Sequence, residues 1–231
     1  MTFTDHALLR LLQLTDSAFP TGAFAHSFGL ETYVARGMVQ SATDLEAFIG
    51  NALLNALAPS DGVACVAVFR AGDRWQDVVR DLDQRLTAMK TVSEFRQASR
   101  ALAIRFLRTA TQMLTLPRAA SYLTAIDATT LYGHLSLAYG LVGHDLEWPL
   151  PAALAAWFRQ SCAALVSVGV RLIPLGQTEG QAVLVRLGTT ILQAVELALG
   201  READDLASFA PGQELAGMIH RDILTTRLCI S

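Results

Sequence analysis

The stretch FPTGAFAHSFGLE, residues 19–31, decides between two fold classes. Within it, Ala25-His26-Ser27-Phe28-Gly29 is a small-residue variant of the G-x-S-x-G elbow. That elbow works because a strained strand-to-helix turn lifts a serine above a parallel sheet, beside an oxyanion hole. If Ser27 is such a nucleophile, a strand must precede it, and Asp145 and His220 follow in the hydrolase order. What precedes it is Leu8, Leu9, Leu11 and Leu12, an apolar helical stripe that ends before Pro20. The stretch therefore reads as a glycine-bounded bend between helices, with the serine hydrolase kept as the alternative.

Helical periodicity continues outward from there. A second helix is expected over 23–35, stopped by Gly37. Thr43-Asp44-Leu45-Glu46 has capping-box form and opens a helix expected to end before Pro59, followed by another over 61–70. Two helices are expected over 73–116, broken near Thr91, where Thr91-Val92-Ser93-Glu94 repeats the capping pattern, and closed by Pro117. Further helices are expected over 118–125, 131–142, 152–172 and 178–199. Pro211-Gly212 reads as a loop before a last short helix and the tail HRDILTTRLCIS. Strand-like alternation and hairpin dipeptides are nearly absent, and no fixed-period repeat or low-complexity linker occurs. One all-α domain, residues 1–231, of about ten helices is the expectation.

Hydrophobic residues make up 52% of the 231 and charged residues 17%, a balance that suits either burial of an apolar face against a second copy or a standing partner, or a well-packed helical core rich in Ala and Leu. A net charge of −3 leaves no basic footprint for nucleic acid or for anionic membrane surfaces. The longest apolar stretch, 163–170, stops at Arg171, short of the roughly 20 residues a bilayer span needs. MTFTDHALLR lacks the basic and apolar regions of a secretory signal. With Cys65, Cys162 and Cys229 widely spaced and odd in number, a reducing cytoplasm is the expected compartment.

Other constellations are weak. His26, His134, His144 and His220 are scattered, with none of the close pairs that preformed metal sites use, so no metal site is expected within one chain. A site assembled between subunits stays open. Pro174-Leu175-Gly176-Gln177-Thr178-Glu179-Gly180-Gln181 could present helix amides to an anion, but it has no lysine to neutralise a nucleotide's phosphates. Thr178 is a candidate N-cap there. Its surplus of polar groups, Gln177 and Thr178 foremost, fits either a recognition surface or a packed polar joint. In the tail, Arg227 and the Ser231 carboxylate belong either to a solvated terminus or to a segment whose arginine forks onto a partner.

Four segments carry a family resemblance. LLQLTDSAFPTGAFAHSFGLETYV, SEFRQASRALAIRFLRT, VRLIPLGQTEGQ and TRLCIS stand in this order, and through them the chain, over 8–231, resembles the urease accessory protein UreF family. The resemblance implies an all-helical, dimerising, cytoplasmic protein with no catalytic activity or cofactor of its own. It implies a scaffold that bridges UreD (also called UreH) and UreG, a GTPase that carries nickel, so that nickel and GTP are handled by partners and apo-urease is matured. Ser27 then belongs to scaffold rather than to chemistry. The residues expected to meet partners are Phe24, His26, Gln177, Thr178, Arg227 and Ser231, in a fold whose tail, 221–231, is expected to order in complex. Against the family pattern, Phe24 stands where tyrosine is frequent, and His220 lies seven rather than six positions before Arg227. Cys229 and Ile230 replace an aromatic–arginine pair.

Overall fold

The computed structural model describes residues 5–224 and 227–230. Among them there is no strand, and the expected all-α single domain is what forms. Its helices are α1 Asp5–Leu14, α2 Leu30–Ala35, α3 Ala42–Ala52, α4 Val63–Arg70, α5 Trp75–Met89, α6 Ser93–Met113 and α7 Pro117–Asp127. They continue as α8 Leu135–Asp145, α9 Leu150–Leu172, α10 Gln177–Arg186, α11 Gly188–Leu199, α12 Pro211–Met218 and α13 His220–Ile223.

The central element is α8, whose residues Ser136 to Gly143 are all buried, as a helix apolar on every side must be. It packs on α4, α6 and α7. A close approach to α4 is possible because Gly140 faces its backbone; a Cβ there would lie 2.7 Å from the Cys65 carbonyl oxygen. Around it, the rings of Phe106, Tyr139 and Trp157 stack, with centroids 5.8 and 5.4 Å apart. The turn before α8 is anchored by Asp83 of α5, which accepts from the Tyr122 hydroxyl at 2.9 Å and from the Tyr132 and Gly133 amides at 2.7 and 2.9 Å. Nearby, buried Asp61 accepts from the Ser136 hydroxyl at 2.8 Å and pairs with the Lys90 ammonium. His134 sits between the Thr87 and Ser99 hydroxyls at 2.9 and 3.2 Å, and burial first, then the charge of Lys90, lowers its pKa to about 4.

Several boundaries differ from expectation. Pro59 does not end a helix: Ala42–Arg70 is one continuous rod, because Leu53–Gly62 passes through the proline in the wider π register. A proline in α register would clash with the carbonyl four residues back and leave it unserved. Here that carbonyl, Asn55, accepts from the Phe209 amide at 2.8 Å instead. The N-terminal box of α3 is built by Ser41 and Asp44 rather than by Thr43 and Glu46. The cap of α6 is Val92, without a side-chain bond, so the Thr91 pattern is not a capping box. Pro117 and Pro211 each occupy the first turn of a helix, where the missing N–H is harmless, and so start helices rather than closing or looping them. The helix expected over 178–199 is two, α10 and α11, bent by 42°.

Two helices, Ala42–Arg70 with 29 residues and Leu150–Leu172 with 23, are long and apolar enough to cross a membrane. This corrects the reading from the short run at 163–170, which stopped at one arginine that a helix of this length tolerates. In the fold their most apolar stretches are 67% and 44% buried within the protein. The first is therefore mostly core, whereas α9 keeps a half-exposed, alanine-rich face.

Candidate partner-binding site

The bend at 22–31 is not the continuous helix expected over 23–35. A single 3-10 turn, Ala23–Ala25, is followed by extended His26, then by Phe28 and Gly29 in the left-handed region at φ 48° and 89°. Gly29 supplies that conformation without strain and also admits α12, since a Cβ on it would lie 3.0 Å from the Gln213 carbonyl oxygen. Two bonds fasten α12 down. Gln213 Nε2 donates to the Phe28 carbonyl at 3.0 Å, and Thr32 Oγ1 donates to the Ala216 carbonyl at 3.0 Å.

Ser27 is fully buried in this bend, and no sheet underlies it among the described residues. Nor are its supposed partners assembled for hydrolysis. Asp145 accepts from the Arg118 and Ala119 amides at 3.1 Å each, capping α7, and the carboxylate beside His220 is that of Glu31. The serine-nucleophile alternative is set aside on these contacts.

His26 is only 4% exposed; burial, with the Arg105 charge second, lowers its pKa, so it is a neutral interior group. It lines a cavity of about 210 Å³ rather than the outer surface. In the chain alone its ring therefore faces the interior rather than the surface on which Phe24 is exposed. Phe24 is the reverse case. Arg171 donates to the Phe24 carbonyl at 2.6 Å and to the Ser167 carbonyl at 3.2 Å, holding the turn while leaving the ring 56% exposed.

The tail closes over this bend. Glu31, 5% exposed, accepts from the Leu228 amide through Oε1 at 2.7 Å and from the Cys229 amide through Oε2 at 3.1 Å. The Ile230 amide then donates to the Ala25 carbonyl at 2.8 Å. His220, fully buried, brings Nε2 to 3.5 Å from Glu31 Oε2, within ion-pair range but without hydrogen-bond alignment. Burial and the Glu31 carboxylate push the Cys229 thiol up to about 11, so it remains a thiol. The result is a surface on which Phe24, Leu228 and Ile230 are exposed above buried anchors, with Arg227 exposed at its edge. Ser231 lies outside the described residues.

Gln177 and Thr178 start α10, which packs on α9, α3 and α11. Both are exposed, as are Glu179 and Gln181, so this is a solvent-facing polar turn and not a packed joint. Its N-cap is Gly176, without a side-chain bond, which corrects the assignment of Thr178. Among the described residues, no three His, Cys, Asp or Glu side chains are grouped to hold a metal ion.

Sequence reading missed Glu31, Arg171 and Gln213. Glu31 had one signal, a carboxylate set in an apolar stretch next to a glycine. Arg171 and Gln213 had none, because their bonds join segments far apart in the chain.

The amino-acid sequence matches a known group. A family model described as UreF matches residues 39–188, from just before α3 to the start of α11. The chain belongs to the urease accessory protein UreF family. It is 36% identical over 228 residues to the urease accessory protein UreF of Lachnoclostridium phytofermentans, covering 98% of this chain and 100% of that protein. It is 38% identical over 217 residues to that of an Arthrobacter species, covering 92% of each, and 32% identical over 228 residues to that of a Bacillus species, covering 97% and 99%. The bend at 22–31 and the tail lie outside the family-model match, whereas the similarity to the Lachnoclostridium phytofermentans protein covers 98% of the chain.

Proposed function

We infer that this protein is a non-catalytic scaffold for urease maturation, bridging UreD (UreH) and the GTPase UreG in the cytoplasm and coupling GTP hydrolysis to nickel delivery to apo-urease. The observation that carries the reading is the tail pinned by Glu31 across the 22–31 bend. Two segments far apart in the chain become one surface, with apolar side chains outside and the Glu31 carboxylate satisfied beneath. Exposed aromatic and aliphatic anchors over a rigid support are what protein partners use as binding centres. Arg227 at the rim offers a forked donor for a partner's carboxylate or carbonyls. Nickel and GTP are cargo and substrate of the partners in this reading, and the chain holds no cofactor.

A homodimer is part of the same proposal. Val185, 78% exposed, lines an open groove between α9, α10 and α11, and Leu192 of α11 and Leu9 and Leu12 of α1 are 60%, 62% and 55% exposed. Such faces support association with a second copy. The test is co-expression with UreD and UreG followed by size-exclusion chromatography with light scattering. A complex with two copies of this chain is expected, and Arg227→Ala is expected to lose UreG from it. A monomer that ignores both partners would overturn the scaffold reading, and an unchanged complex with Arg227→Ala would overturn the role of the tail.

A further inference from the structure

Protein interiors pack as densely as organic crystals, yet the fold leaves about 210 Å³ unfilled behind the 22–31 bend. The walls are largely aromatic. Phe28 and Phe95 meet edge to face with centroids 5.5 Å apart, and Phe106, Tyr139 and Trp157 present their stack. Buried Ile49, Leu53 and Leu86 add aliphatic surface. The cavity reaches solvent past exposed Thr91, half-buried Ser161 and Ala164 of α9, and half-buried Glu214 of α12. A solute can therefore enter without any part of the fold coming loose.

Size and charge narrow what fits. An apolar cavity of roughly 150 Å³ is enough for benzene, so this one holds a ring with a short arm, or two fused rings. Aromatic walls offer a flat ring offset and edge-on contacts. Three charged side chains line the space: Asp61, Lys90 and Glu214. Asp61 and Lys90 neutralise each other, and Asp61 also accepts from the Ser136 hydroxyl at 2.8 Å. His26 adds no charge, because burial lowers its pKa. Glu214 is left over. Its carboxylate reaches the Thr91 hydroxyl at 3.5 Å on the open side, and Arg221 of the following helix pairs with Glu94 instead. Among the described residues no cation pairs with Glu214.

We propose that this cavity is a binding site for small arylalkylamines, with the ring among Phe28, Phe95 and Trp157 and the protonated amine at Glu214. An aromatic acid of the same shape would bring its carboxylate to the one uncompensated negative charge and is disfavoured. The site lies apart from the exposed Phe24 and Leu228 side chains and needs neither UreD nor UreG.

Tryptamine and indolepropionic acid share a ring and carry opposite charges, and both are titrated calorimetrically into the full-length protein. Tryptamine is expected to bind with a Kd on the order of 0.1 mM, an ordinary efficiency for its size. The acid should bind about tenfold more weakly, since an exposed ion pair becomes a repulsion, and Glu214→Gln should bring the two within about twofold. Ala164→Phe and Ala56→Met add bulk to the cavity from half-buried positions and should abolish tryptamine binding while melting like the parent. In the parent protein, tryptamine at about ten times its Kd should slow methyl methanethiosulfonate modification of Cys162, a cavity residue, about tenfold and leave Cys229 unchanged. Should a filled variant misfold, protection of Cys162 decides alone. Equal binding of the two probes would overturn the placement of the amine. Binding that survives both filling variants, or a Cys162 that tryptamine does not protect, would overturn the cavity as the site. No saturable binding of tryptamine would overturn the proposal as a whole.

Discussion

The turn before α8 and the bend at 22–31 both rest on a buried carboxylate, yet they are built for opposite purposes. Asp83 collects a hydroxyl and two amides from 39 to 50 residues away in sequence, and everything around it is covered. Glu31 collects two amides from 197 and 198 residues away, and what lies above it is exposed Leu228 and Ile230. The first carboxylate locks a core. The second holds a short terminal segment that has little apolar burial of its own, so its stability is local and open to partner binding.

That contrast can be broken at its strongest point. Asp83→Ala leaves two buried donors and one half-buried donor unpaired and should cost about 3–5 kcal/mol in urea unfolding, the scale of an uncompensated buried polar site. A cost below about 1 kcal/mol would mean that the turn before α8 finds other acceptors. Acid should act on the same core. His134 is held neutral with a pKa near 4 against an ordinary 6.5, so below 6.5 the unfolded chain takes up a proton that the folded one refuses. Stability should therefore fall as pH drops from about 6.5 to about 4 and lose this dependence below. A His134→Gln variant should flatten that part of the curve in pH-dependent melts.

On the other side, Glu31→Gln should cost only about 1 kcal/mol, one replaced acceptor. Hydrogen exchange at Leu228 and Cys229 should nevertheless rise and the complex with UreG weaken. If global stability collapsed instead, Glu31 would belong with Asp83 and the two regions would not differ in kind. Smallest is Phe24→Ala: its ring is largely exposed, so melting should shift by less than about 0.5 kcal/mol while partner binding falls.

The same division governs what could be read in the chain. Leucine stripes, absent strand alternation and the glycine-bounded bend were enough for an all-α fold, because they are properties of neighbouring residues. Pro59 was misread because the rule against proline assumes the α register, whereas Leu53–Gly62 runs in the π register and the Asn55 carbonyl accepts from the Phe209 amide, a group 150 residues after the proline. Thr178 and Thr91 had the chemistry of caps, yet Gly176 and Val92 took those positions. At the site, the motif residues were visible and their roles were not. His26 went inside and Phe24 outside, a choice made by Arg171, Arg105 and α12 rather than by the bend itself.

Helical class, the sites of the bends and membership of the UreF family were determined by the sequence by itself, since each rests on local spacing or on ordered motifs. The pinned tail, the exposed Phe24 surface and the cavity lined by His26 and Cys162 were decided only by the tertiary structure. Each depends on contacts between segments far apart in the chain, and no local pattern encodes which of them meet.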